Sequence, residues 1–151
     1  MPIVYVILIV AMFTGLNVIF LPGIEGRKQA ITADTKAVNL FAYKSALTTY
    51  LSSNPGFSGV IPDGSITLPT GMVRDFNWTN VVSGGVLYVY ESTPSNTKNL
   101  LDTLYIKTNN SYMVGVRSGG NFVNAKGYTT SSFPSTSPAT IPDGSIVIIG
   151  Q

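Results

Sequence analysis

The hydrophobic pattern divides the chain into an apolar N-terminal segment and a mixed remainder. Residues 3–21 contain no charged side chain, and every Asp, Glu, Lys and Arg lies after position 24. At about 1.5 Å per helical residue, this segment reaches roughly the 30 Å of a bilayer's hydrocarbon core. On membrane-insertion scales, the favourable free energy of its Leu, Ile, Val and Phe residues exceeds the cost of Thr14 and Asn17. We therefore expect a single transmembrane anchor over residues 1–24 and one folded domain over residues 25–151.

A cleaved signal peptide is the main alternative to a retained anchor. Such a peptide needs a basic n-region, a shorter apolar core and a small-residue cleavage site. Only Met1 and Pro2 precede the apolar segment, and the sequence LPGI at 21–24 is a poor cleavage site. A buried core helix is disfavoured because the segment is apolar on all sides. The pattern favours the retained anchor.

A second helical pattern runs from near Arg27 to Ser52. Pro22 and Gly23 interrupt the apolar run, so we expect the anchor to kink or end there. No Gly or Pro occurs between Arg27 and Ser52, and apolar residues recur at three- and four-residue multiples. The face that we expect to dock on the protein's own sheet comprises Ala33, Ala37, Leu40, Leu47 and Leu51.

Beyond position 56 the period becomes that of β-strands. Short runs rich in β-branched and aromatic residues alternate with turn-forming clusters. The predicted strands are Val86–Tyr90, Leu104–Lys107, Tyr112–Val116, Asn121–Asn124 and Ile146–Ile149. Between the first two of these, Thr93–Asn96 precedes Leu100, Leu101 and Leu104, and Ser95 or Asn96 is placed to cap a short helix there. The predicted fold class is α+β, with an amphipathic helix packed on an antiparallel sheet.

Turn chemistry predicts the connections. Ser118–Asn121 (SGGN) is typical of a tight hairpin, and 128–140, rich in Ser, Thr and Pro, is typical of a surface loop. The sequence IPDGSI occurs at 61–66 and again at 141–146. Pro, Asp and Gly in this order favour a turn, so we expect each copy to lead into a strand. The predicted turn residues are Pro62, Asp63, Gly64, Pro142, Asp143 and Gly144.

Composition argues against most kinds of chemistry. The chain has no His and no Cys, which removes Ser-His-Asp and Cys-His catalysis and the usual zinc sites. A net charge of +2 with 11% charged residues leaves no basic tract for nucleic acid. Asp75 and Glu91 are the one loosely plausible carboxylate pair for a hydrolase, although solvated residues at strand ends are favoured. We expect no enzyme activity, cofactor, metal or small-molecule substrate.

Several segments carry a family resemblance: Asn39–Lys44 (NLFAYK), Asn54–Gly59 (NPGFSG), Ile61–Asp63 (IPD), Trp78 and the terminal IPDGSIVI. Together with the apolar N-terminus, they resemble the PilM proteins of plasmid-type thin (type IVb) pilus operons. The resemblance implies an inner-membrane protein with a periplasmic domain that serves assembly of a conjugative or adhesive pilus. It also implies other assembly proteins or pilins as partners, and leaves homo-oligomers open.

The layout is also similar to that of type IV pilins, in which an apolar helix runs into an amphipathic one and then an antiparallel sheet. No basic leader ending in Gly precedes the apolar segment, and no Glu stands near its start. A permanent anchor is therefore favoured over a processed pilin. A minor pilin or pseudopilin built into the fibre is the alternative.

Two signals disagree on orientation. Arg27 and Lys28 follow the apolar segment, and the positive-inside rule would then keep the domain in the cytoplasm. The family resemblance implies the periplasm instead. We expect a periplasmic domain.

Overall fold

The computed structural model describes the backbone of residues 2–75, 77–95, 98–130 and 141–150. It describes the side chains of the same ranges except 2–4, 6–25, 98 and 130. The elements are helices α1 (Pro2–Ser53) and α2 (Lys98–Lys107), a short 3₁₀ turn (Asp63–Ser65), and strands β1 (Trp78–Ser83), β2 (Val86–Glu91), β3 (Val114–Ser118), β4 (Asn121–Asn124), β5 (Thr129–Thr130) and β6 (Ile146–Gly150).

Helix α1 is continuous over 52 residues. It passes through Pro22 and Gly23, so the expectation that a separate helix begins near Arg27 is wrong. A proline inside a helix removes one backbone donor, but its fixed φ near −65° is itself helical, and the chain can continue. No helix among the described residues is long and apolar enough to cross a membrane. Residues 6–25, which make up most of the predicted anchor, have side chains outside the described set.

The strands form one antiparallel sheet in the order β1-β2-β6-β3-β4-β5. The last strand of the chain therefore lies between β2 and β3. Placing β6 there joins two hairpins, β1–β2 and β3–β4, into a single sheet. The predicted α+β class, with a helix packed on an antiparallel sheet, is confirmed.

The main core lies between the helices and one face of this sheet. On α1, Ala33, Ala37, Leu40 and Leu47 are buried in it, and Leu51 is partly buried against it. They meet the sheet residues Leu87, Val89, Val114, Ile146 and Ile148, and the α2 residues Leu100 and Leu104. A second cluster of buried residues contains Tyr88, Tyr90, Phe122, Ile141 and Val147. The alternation of Tyr88 and Tyr90 with Leu87 and Val89 along β2 separates the two clusters.

The predicted strand Leu104–Lys107 is wrong, because these residues form the last turn of α2. Leu100 and Leu104 are both buried, and their four-residue spacing continues a helix face. Val86–Tyr90, Asn121–Asn124 and Ile146–Ile149 are strands, and Tyr112–Val116 is displaced to Val114–Ser118. Ser118–Asn121 is a tight hairpin, with positive φ at Gly119 and Gly120. The predicted loop 128–140 begins with the short β5, and 131–140 lies outside the described residues.

Strand β1 was not predicted from the sequence, and its outer edge is covered. Gly59 and Val82 exchange two backbone hydrogen bonds, of 2.9 and 2.8 Å. Next to them, the Asn80 side chain accepts from the N–H of Ile61 and donates to its carbonyl, at 2.8 and 3.1 Å. The outward backbone groups of Val82 are thus satisfied within the chain, and the covering segment limits pairing with another strand.

Candidate interaction surfaces

One end of the sheet gathers exposed apolar side chains. β3 begins at Val114 and its antiparallel neighbour β4 ends at Asn124, so the segments before β3 and after β4 lie side by side. A hydrogen bond from the Ala125 N–H to the Val114 carbonyl, at 3.0 Å, joins them. Tyr112, Met113 and Tyr128 on these segments are exposed, as is Ile106 in the last turn of α2. We call these four residues the Tyr112 patch.

Contacts at the end of α2 fix the positions of the two segments that carry this patch. Asn109 and Asn110 have φ of 56° and 63°, a left-handed conformation that Asn adopts more readily than most residues. The Asn110 N–H donates to the Tyr105 carbonyl at 2.9 Å, which turns the chain from α2 towards β3. On the other side, the Lys126 ammonium lies 5.1 Å from the centre of the Tyr105 ring. This cation–π contact joins the 125–128 turn to α2.

The chemistry of the Tyr112 patch suits protein recognition. Tyr112 is 63% exposed and Ile106 is 71% exposed. Grouped apolar exposure of this kind is typical of interaction sites, and Tyr and Met are enriched at protein interfaces. Sequence reasoning missed the patch because it placed Ile106, Tyr112 and Met113 inside strands. The Asn109–Asn110 pair was the available signal for a turn between them.

A cleft with both polar and apolar lining residues lies between α1 and α2, at the other end of α2. Its volume is about 460 Å³, and Lys28, Thr32 and Lys36 of α1 face Ser95 and Asn99 across it. The Asn99 amide donates to the Gln29 side-chain oxygen at 3.2 Å, which bridges the two walls. We call this site the lysine cleft. Of the predicted capping residues, Ser95 bonds to Glu91 rather than to the helix, and Asn96 lies outside the described residues.

The two carboxylates considered for a hydrolase take part in structural contacts. Asp75 accepts from the Asn77 N–H at 3.0 Å, within the turn before β1. Glu91 is fully buried, so its interpretation as a solvated residue is wrong. Its carboxylate accepts from the Ser95 hydroxyl at 2.8 Å and from the Ile146 N–H at 3.5 Å. Among the described residues, no group of three or more acidic side chains could hold a metal ion.

The two IPDGSI copies form different turns. In the first, the Ser65 N–H bonds to the Pro62 carbonyl at 3.0 Å, and Ile66 is extended without joining the sheet. The prediction that this copy leads into a strand is wrong. In the second, the Ser145 N–H bonds to the Pro142 carbonyl at 3.2 Å and the chain enters β6. Gly144 has φ of 84° there, whereas Gly64 does not have a positive φ.

Both turn aspartates pair with an arginine from elsewhere in the chain. Asp63 forms an ion pair with Arg74, and Asp143 lies 3.3 Å from the guanidinium of Arg117. The Arg117 guanidinium also donates to the Ile141 carbonyl. These contacts tie each turn to a neighbouring segment, and nothing in the sequence spacing indicated them.

A polar network fixes the segment before β1 onto α1. Arg74 donates to the Trp78 carbonyl at 2.8 Å, and its guanidinium lies 4.9 Å from the centre of the Tyr43 ring. The Tyr43 hydroxyl also accepts from the buried Asn80 amide at 2.7 Å. On the solvent side, the Asn39 amide donates to the Val73 carbonyl at 2.6 Å. The network holds residues 73–80 against the helix.

Among the described side chains, burial shifts the pKa values of Lys44 and Tyr88. It lowers the pKa of Lys44 below its usual 10.5, since the side chain lies over Gly150 and desolvation disfavours the charged form. Burial raises the pKa of Tyr88 above its usual 10.0. Neither side chain lines the Tyr112 patch or the lysine cleft.

Comparison with known proteins identifies the family of this chain. The crystal structure of a PilM protein from Escherichia coli B7A is similar, with a TM-score of 0.61 and 21% identity, over 81% of this chain and 94% of that one. The crystal structure of a pilM protein from Pseudomonas aeruginosa 2192 gives a TM-score of 0.44 and 29% identity, over 78% and 95% of the two chains. No curated protein matches the sequence significantly. The PilM family model matches residues 9–149, and the chain therefore belongs to the PilM family.

Proposed function

We propose that this protein is a membrane-anchored, non-enzymatic component of type IVb pilus biogenesis, whose periplasmic domain contacts other assembly subunits. The observation that carries the proposal is the PilM match over residues 9–149. Membership of this family implies a part in pilus biogenesis. The apolar segment at 3–21 supports the anchor, and the Tyr112 patch supports a protein partner, either an assembly protein or a pilin.

The chemistry of the chain supports a binding role over catalysis. There is no His or Cys to act as nucleophile, base or soft metal ligand. Asp75 and Glu91 are engaged by a backbone N–H and by Ser95 respectively. If the protein were a carboxylate-dependent hydrolase, the double variant Asp75→Asn, Glu91→Gln would abolish pilus assembly even when its fold is intact.

Site-specific crosslinking tests the partner. A photoreactive amino acid replaces Tyr112 in the full chain, expressed with the other genes of its pilus system. A matched probe replaces Val73, which is 79% exposed and lies on the segment before β1. We expect a crosslink to a pilus assembly protein or a pilin from position 112 and none from position 73. Equal crosslinking from both positions, or none from either, would contradict a contact through the Tyr112 patch.

A second candidate, a minor pilin built into the fibre, is favoured by one observation. α1 runs without a break from Pro2 to Ser53, and such a helix leading onto an antiparallel sheet is similar to the layout of type IV pilins. Shearing the pili from cells separates the two proposals. Recovery of the protein with the sheared fibres would support the pilin, whereas recovery with the inner membrane alone supports the assembly component.

A reporter fused to the C-terminus tests the periplasmic location. Alkaline phosphatase, which folds in an oxidising compartment, is expected to be active in this fusion. A cytoplasmic reporter at the same position is expected to be inactive. The opposite result would place the domain in the cytoplasm, as the positions of Arg27 and Lys28 suggest.

A further inference from the structure

The lysine cleft lies at the end of the domain from which the N-terminal part of α1 extends. Ser95 in its wall donates to Glu91 at the end of β2, and Glu91 accepts from Ile146 at the start of β6. The Tyr112 patch lies at the opposite end, where β6 finishes, because the Ile149 N–H donates to the Met113 carbonyl. On α1 the cleft begins at Lys28, roughly 6 Å along the helix axis from the predicted end of the anchor at residue 24.

The cleft is lined by two lysines, and none of its described lining residues is acidic. No ion pair among the described residues involves Lys28 or Lys36. Asp34, two residues before Lys36 on α1, is paired with Lys107 at 2.8 Å, and the Glu25 side chain lies outside the described set. Glu91 is fully buried behind Ser95 and does not line the cleft. Arg27, which precedes Lys28 on α1, is exposed but does not line the cleft.

We infer that the lysine cleft binds the phosphate headgroup of an anionic phospholipid in the membrane that carries the anchor. Two ammonium groups suit a phosphate, to which each can donate several hydrogen bonds. A volume of about 460 Å³ is within the range of small-ligand sites. Basic residues close to an anionic membrane surface each strengthen association by roughly fivefold. The inference rests on the proposed membrane anchor and would fix the height and tilt of the domain above the bilayer.

A fluorescence experiment tests this in the full chain. Because the protein has no Cys, a Thr32→Cys substitution can carry one fluorophore at the cleft. The labelled protein is reconstituted into vesicles of phosphatidylcholine, with or without phosphatidylglycerol, that contain a lipid with a nitroxide on its headgroup. We expect stronger quenching in the phosphatidylglycerol vesicles, and loss of the difference in high salt.

Matched variants test the role of the lysines. The double variant Lys28→Gln, Lys36→Gln is expected to remove the phosphatidylglycerol-dependent quenching. The single variants Lys28→Gln and Lys36→Gln each remove one charge from the cleft and are expected to weaken it. The control Lys126→Gln removes one charge from the turn after β4, which contacts the far end of α2 through Tyr105, and is expected to retain it. Equal quenching in both kinds of vesicle, or a loss in the control equal to that in the single variants, would overturn the inference.

Two further outcomes identify the source of the phosphate and the state of the anchor. Glycerol phosphate is titrated into the labelled protein in neutral detergent, and a saturable response there without any phosphatidylglycerol effect in vesicles would overturn the lipid assignment. Flotation of the vesicles tests the anchor separately. If the chain floats with neither kind of vesicle, the proposed anchor fails together with the inference, whereas flotation with both and unchanged quenching rejects the inference alone.

Discussion

Asn80 holds the segment around Ile61 against the outer edge of β1. It is 1% exposed, and its side chain satisfies both the N–H and the carbonyl of the buried Ile61. We expect Asn80→Ala to lower the free energy of unfolding by about 2–4 kcal/mol, because two backbone groups lose their partners inside the protein. Chemical denaturation measures the change.

The matched control is Tyr43→Phe. It removes the hydroxyl that accepts from the Asn80 amide at 2.7 Å but leaves both Ile61 contacts in place. We expect a loss of about 1 kcal/mol. If the Tyr43 variant were destabilised as much as the Asn80 variant, the hydroxyl rather than the Ile61 contacts would be the main contribution.

Gly115 is required by close packing within the sheet. A Cβ atom at this position would collide with the Val123 carbonyl oxygen of β4 and would lie 2.6 Å from the Phe122 ring, and Phe122 is itself buried. We expect Gly115→Ala to destabilise the fold by at least roughly 1–3 kcal/mol, since both the β4 backbone and the ring must shift. Thermal unfolding followed by circular dichroism measures this. Gly64→Ala is the control, because nothing lies within 4 Å of that position, and a comparable loss there would contradict the packing argument.

Lys44 gives stability a pH dependence of known sign. Its pKa is lowered by burial, so between the folded-state pKa and 10.5 the unfolded chain holds a proton that the folded protein lacks. Stability from this group therefore rises with pH towards 10.5. The raised pKa of Tyr88 acts in the opposite direction above pH 10.0, so the measurement is confined to about pH 8–10.

The test is denaturation of Lys44→Met over this pH range. We expect the variant to be more stable than the wild type at pH 8 and to lose the rise towards pH 10, because it has no ammonium that is desolvated on folding. Lys28→Met, at an exposed position, serves as the control and is expected to keep the wild-type slope. An unchanged slope in Lys44→Met would exclude this lysine as the cause.

At the scale of elements, α1 docks through one narrow face. Leu40 is completely buried between the helix and the sheet, whereas Val38, two residues earlier, is 42% exposed. We expect Leu40→Ala to cost about 2–5 kcal/mol of unfolding free energy because it leaves a cavity. Val38→Ala is expected to change stability by less than about 1 kcal/mol. Similar losses in the two variants would mean that the exposed face of α1 also packs against the domain.

The elements also show what a sequence can predict here. Periodicity indicated the helix face from Ala33 to Leu47 and three of the strands, because both patterns are local and the core is apolar. The α2 error arose because Leu104–Lys107 (LYIK) has residues common in strands, and only the four-residue spacing from Leu100 distinguishes a helix. β1 carried a usable signal, since Gly84 and Gly85 have positive φ and form the same tight turn as Gly119 and Gly120.

The surfaces were less predictable than the fold. The pairs Arg74–Asp63 and Arg117–Asp143, like the Asn80 contacts, join residues that are distant in sequence, and nothing in the periodicity encodes them. The Tyr112 patch depends on the register between β3 and β4. The lysine cleft depends on how α2 lies against α1. Surfaces of this kind depend on how distant segments pack together. Helices and strands, in contrast, can be recognised from the local pattern of buried residues.

At the scale of the whole molecule, α1 is much longer than the domain that it supports. A 52-residue helix spans about 78 Å, whereas a six-residue strand such as β2 spans about 20 Å. Among the described residues of α1, the buried positions begin at Ala33. The lysine cleft therefore faces the N-terminal extension, and the Tyr112 patch faces away from it. If the lysine cleft binds phospholipid and the Tyr112 patch binds a pilus subunit, as we propose, one end of the domain meets the lipid and the other meets a protein.

The membrane anchor gives the last prediction. Ile9 and Phe13 lie near the middle of the apolar segment, where each arginine costs roughly 2.5–3.5 kcal/mol of insertion free energy. We expect Ile9→Arg, Phe13→Arg to release the full chain from membranes washed with carbonate, whereas the wild type remains until detergent is added. The control Ile31→Arg, Val38→Arg places the same charges on exposed positions of α1 and is expected to stay bound. Retention of both variants, or release of the wild type by carbonate, would contradict anchoring through residues 3–21.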